Sequence, residues 1–90
     1  MQEITLKKFV ETTKFENGLK IVDLMLTETD VVPDGWVLIG KGGHTGEYGD
    51  YGSVSCWASA DHRIIVFNNY GMSAGYDAEE WSEITVHVAS

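Results

Sequence analysis

Six glycines fall between Gly40 and Gly52, and three of them divide the segment Gly46-Glu47-Tyr48-Gly49-Asp50-Tyr51-Gly52 into two Gly-acid-Tyr units. A backbone with so many residues free to take positive φ cannot run as a regular helix, so the chain must change direction there. The side chains that remain are carboxylates and phenols. Tyrosine offers large amphipathic area at low entropic cost, and carboxylates add charge complementarity to a basic partner. The segment reads as a loop dressed for contact, with Glu47, Tyr48, Asp50 and Tyr51 as candidate partner-binding residues.

The flanks are patterned for strands. Ile4, Leu6, Phe9 and Val10 fit either a short helix or a strand. Asn17-Gly18 between apolar-containing runs predicts a hairpin with strands near 11–16 and 19–27, the alternative being a buried helix over Leu19–Leu26. Pro33-Asp34-Gly35 is a turn that launches Trp36-Val37-Leu38-Ile39, a continuous apolar run expected to be a strand covered on both faces. Val54, Cys56 and Ala58 alternate with Ser53, Ser55, Trp57 and Ser59, which predicts a strand with its serine side outward. Ser59-Ala60-Asp61-His62 reads as a reverse turn into a strand over 63–70. Asp77 with Glu80 three residues on has capping-box spacing and suggests a helical turn or two, and Ile84, Val86 and Val88 alternate as a last strand. The expected fold is one mainly β domain over residues 1–90, an antiparallel sheet or meander of five or six strands with one or two short helices, α+β being the variant.

Charge narrows the partner. Over residues 1–21 four lysines face three glutamates, for +1; the remainder sets Lys41 and Arg63 against eleven acids, for −9, and the whole chain carries −8. Such a field opposes direct nucleic-acid binding, which needs phosphate neutralisation by Lys and Arg, and favours a basic protein partner. No apolar stretch approaches a membrane span, and Met1-Gln-Glu-Ile-Thr-Leu-Lys-Lys lacks the make-up of a secretory signal, so a cytoplasmic protein is expected. A single cysteine, Cys56, excludes an internal disulfide.

Motifs for catalysis or cofactors are incomplete. Gly35–Gly42 nearly satisfies a phosphate loop but has Gly42 where the magnesium-binding hydroxyl belongs, and Gly40–Gly46 misses the dinucleotide spacing at Thr45. His44, Cys56, His62 and His87 are not spaced as zinc ligands, and Cys56 on an alternating strand reads as a small hydrophobe rather than a nucleophile paired with His44 or His62. Glu79 and Glu80 read as a solvated helix start rather than an acid–base pair. Neither a catalytic set, a metal site nor a cofactor is implied.

Aromatics remain: Tyr76 and Trp81 beside the acidic turn, and Trp57 on the serine side, are candidates for partial exposure. The expected partner surface therefore joins Glu47, Tyr48, Asp50 and Tyr51 to Asp77, Glu79, Glu80 and Trp81. The leading reading is a non-enzymatic acidic inhibitor that docks on a basic, nucleic-acid-handling protein. In compact acidic character the chain resembles phage-encoded anti-defence proteins such as anti-CRISPRs, and the immunity proteins of nuclease toxins. That resemblance is compositional and implies no role for any residue. The alternative is a small β module that binds a carbohydrate or other small ligand through Trp57 and the glycine loop, or a self-associating subunit, a homodimer being within reach of exposed strand edges.

Overall fold

The computed structural model describes residues 2–27, 32–75 and 78–89. The ambiguous first segment is both things it resembles: β1 (Gln2–Thr5) runs directly into α1 (Leu6–Thr12). Thr5 makes the switch, its extended backbone ending the strand while its hydroxyl accepts the Lys8 amide at 3.2 Å as an N-cap. Leu6 and Phe9, three apart on one helix face, are almost wholly buried.

Asn17-Gly18 turns the chain but makes no hairpin. A two-residue hairpin of this sequence needs positive φ at both central positions, and only Gly18 has it, at 78°; with Leu19 N–H donating to the Glu16 carbonyl at 3.2 Å, the turn is of a kind that splays its flanks. Residues 11–12 accordingly end α1 and 13–18 form a connection, so neither the predicted strand over 11–16 nor the helix over Leu19–Leu26 exists. The run over 19–27 is two strands, β2 (Leu19–Val22) and β3 (Leu24–Thr27), divided at Asp23, whose φ is 64°. Asp23 N–H donates to the Ser82 carbonyl at 2.8 Å and its carbonyl accepts from Gln2 N–H at 3.1 Å, so this residue hands the chain from one sheet to another.

Four long strands complete the fold: β4 (Val37–Thr45), β5 (Tyr51–Ala58), β6 (Ile64–Met72) and β7 (Glu80–Val88). The main sheet is antiparallel in the order β2-β7-β6-β5-β4, and β1 pairs in parallel with β3. The expected mainly β, antiparallel architecture is thus the one observed. The expected turn before β4 is present but one residue on from a proline-led one: Trp36 N–H donates to the Pro33 carbonyl at 3.1 Å, so Asp34 and Gly35 are its central pair, with Gly35 at φ 84°, where a Cβ would strike Ala60. At the β5–β6 turn, Asp61 accepts the Ser59 hydroxyl (2.7 Å) and the Arg63 amide (3.1 Å), which hold its carboxyl below the usual range.

Two expectations about β4 and β5 are overturned. The run from Trp36 does not become a strand covered on both faces: β4 is the sheet edge, exposed along its whole length, and it continues through Gly40–Thr45, which had read as loop. The serine side of β5 is the inner one. Register places Trp57, Val66, Val86 and Leu19 in one cross-strand row, with Ser55, Asn68, Ile84 and Ile21 beside it, and α1 packs Leu6 and Phe9 onto this face. Where the helix docks decides the side, and one bulky row under it outweighs the small serines. Trp57 is therefore core, 6% exposed. Deeper in, the Ser82 hydroxyl donates to the Leu24 carbonyl at 2.7 Å and the Asn68 amide donates to the Leu26 carbonyl at 3.1 Å, stitching β3 over the sheet.

The opposite face carries Val22, Val54, Cys56, Ile65, Phe67 and Trp81, and among the described residues no helix or second sheet is packed over it. Nor is any helix among them long and apolar enough to cross a membrane.

Candidate functional site

The molecule measures 43 × 24 × 20 Å, and its core occupies the end where α1, β1 and β3 lie. At the other end the β4–β5 turn meets the β6–β7 connection. Gly46 N–H donates to the Asp50 carbonyl at 2.7 Å and Gly49, at φ 92°, donates back to Gly46 at 3.3 Å, forming the tight loop that the glycines require. The Asp50 carboxylate then accepts the Ala74 amide at 2.7 Å, bolting the two connections together. Ser73 closes the second one through both backbone and hydroxyl contacts with Glu79.

This arrangement gathers the predicted residues unequally. Glu47 and Tyr48 stand at the tip, Tyr48 82% exposed. Glu79 is exposed, with its backbone engaged by Ser73. Tyr51 stacks beside Tyr70 (ring centroids 5.9 Å apart), and the Tyr70 hydroxyl donates to Glu80 Oε2 at 3.1 Å, so Tyr51 and Glu80 share the face that farther along becomes the core. Burial, then the Glu80 carboxylate, pushes the Tyr70 phenol up. Asp50 is half-buried and serves the loop rather than the surface. Trp81 lies on the opposite face and does not join Tyr51 and Glu80. Asp77, and the Tyr76 reading with it, lies outside the described residues. No helix starts at residues 78–80: Glu80 opens β7, because pairing Met72 across the sheet outcompetes a single isolated helical turn.

Sequence reasoning missed Tyr70, Ser73 and Ala74, which join the two connections, and a row in which two rings fold over two glycines. His44, Gly52, Gly71 and Trp81 are successive cross-strand partners on the open face. A Cβ on Gly52 would run into the His44 imidazole, and one on Gly71 into the Trp81 indole, so each ring keeps its seat only while the residue beneath it is glycine. A shallow basin of about 500 Å³ at this end is bordered by His44, Asp50, Gly52, Val54, Asn69 and Trp81 among others. The signal was available in the strand register once the β5–β6 turn was fixed at 59–62.

Among the described residues the one ion pair is Lys20–Glu83, at 2.9 Å, and no three His, Cys, Asp or Glu side chains converge as a metal cage. Burial pushes the Cys56 thiol up, away from thiolate chemistry. Trp57, expected to be partly exposed, is enclosed in the core. No protein family, curated protein or solved structure matches the chain.

Proposed function

We propose that this chain is a non-enzymatic binding protein whose hairpin end docks on a basic protein surface and occupies it, as an inhibitor would. The observation that carries the reading is the Asp50–Ala74 bond, which ties together the two connections that bear Glu47, Tyr48 and Glu79. Their carboxylates have no salt-bridge partner among the described residues, and Tyr48 projects clear of the fold. Unpaired acids steer a cationic partner, and a projecting phenol supplies area that can be desolvated on contact. A basic, nucleic-acid-handling protein is the partner class that suits this charge, in line with the compositional resemblance to anti-defence and immunity proteins. Direct nucleic-acid contact is disfavoured by the same carboxylates.

The test is affinity capture from the native host cell, with retained proteins identified by mass spectrometry and the affinity of the purified pair then measured. Tyr48→Ala should weaken the pair by roughly 30-fold, more than Glu47→Gln or Glu79→Gln alone, and rising salt should weaken it further. A captured partner that binds the Tyr48→Ala, Tyr51→Ala double variant as tightly as wild type removes the assignment.

A further inference from the structure

From the side of the main sheet that no described helix or strand covers we infer that it is the contact surface between two copies of this chain, packed sheet on sheet. The face presents Val22, Val54, Ile65, Phe67 and Trp81, of which Val22, Trp81 and Val54 are 58%, 50% and 36% exposed. A sheet with an apolar face is stable when a second layer covers it, and α1 with the β1–β3 pair covers only the other side.

Charge selects the occupant. On a chain with fourteen acids, the charged side chains that register places on this face are Lys20 and Glu83, and these neutralise one another at 2.9 Å. His44 and His87 are the other titratable groups along its β4 and β7 strands, with Cys56 between them on β5. Among the described residues a basic partner finds no unpaired carboxylate on these strands, and it belongs at the hairpin tip. A second copy brings a surface that is equally apolar, equally uncharged and of the same outline, and it keeps both sets of acids at the periphery.

Size is consistent with that occupant. Five strands spaced about 4.8 Å apart, averaging about eight residues at about 3.3 Å each because β2 is short, give a footprint of roughly 500–600 Å². Two such footprints come to about 1,000–1,200 Å², the lower limit of a specific interface, which sets the expected dissociation constant in the micromolar range. Aligned sheets pack about 10 Å apart with strands crossing near 30°, a spacing that Phe67 and Val54 can fill.

Sedimentation velocity of the full chain from about 1 to 200 µM tests this directly. The expected result is a mass that doubles across that range, and a monomer throughout for Phe67→Lys. Val54→Lys, at a position exposed enough to tolerate the ammonium in the monomer, should also stay monomeric, with circular dichroism reporting an intact fold for each. A wild-type chain that stays monomeric overturns the inference, as does a dimer that survives both lysines. A dimer lost in Ile39→Lys on the β4 edge but retained in Phe67→Lys would mean edge pairing and overturn it equally. None of these substitutions touches Tyr48, so this inference and the tip-docking proposal fail separately.

Discussion

The two ends of the sheet are built on opposite principles. At one end α1 seals Phe9 and Leu6 onto Trp57, Val66, Ile84 and Val86, each 6% exposed or less, with Phe15 edge-on to Phe9 at 5.9 Å. At the other the same strands continue as a single layer, with glycines in the middle strands, rings laid flat along them and hydrogen bonds between loops in place of a second layer. Stability is thus concentrated where two layers meet, and the other end is left free to present side chains without holding the fold together.

That contrast can be broken at specific points. Phe9→Ala should have the largest effect, about 3–5 kcal/mol, a large share of the stability of a domain this small; urea denaturation would show it, and a loss under 1 kcal/mol would mean the helix is not the cover described. Gly71→Ala forces the Trp81 ring off the sheet and should cost about 1–3 kcal/mol while shifting tryptophan emission; a silent substitution would show that the ring has another seat. Asp50→Ala removes the acceptor of the Ala74 amide, for about 1–2 kcal/mol, and amide hydrogen exchange should rise at Ala74 and not near Phe9. The smallest expected effect is alkaline. The folded state raises the Tyr70 phenol above its ordinary value of 10.0, so its stabilisation is intact below that pH and is lost as pH climbs through the raised value. Tyr70→Phe should flatten that decline in a stability profile taken above neutrality; an unchanged profile would show that the Glu80 contact does not hold the proton.

Much of the fold was legible because its turns are chemically marked. Asp34-Gly35 and Ser59–His62 turn the chain where their residues mark it, β6 follows from the turn before it, and the last strand follows from alternation. What escaped was whatever depends on a distant element. The side of β5 that faces inward is set by where α1 docks, and Asn17-Gly18 looked like a hairpin because one positive φ cannot be told from two in a sequence. The candidate site was similarly half visible. Glu47 and Tyr48 announce themselves through their glycines, whereas Glu79 is brought to the same end of the sheet by the register that sets Tyr51 opposite Met72 and Met72 opposite Glu80. Trp81 follows Glu79 and Glu80 in sequence but not in space, because a strand sends successive side chains to opposite sides.

The placement of the tryptophans has a practical consequence. Of the three tryptophans, Trp57 is enclosed beneath the helix, Trp36 packs beside Phe15 with ring centroids 6.4 Å apart, and Trp81 stands half in solvent on the open side, so the packed rings and the open one are optical gauges wired to different events. Quenching by a soluble agent such as acrylamide should read Trp81 first. Anything that settles over the bare side of the sheet should shield that signal and leave the emission of Trp57 as it was.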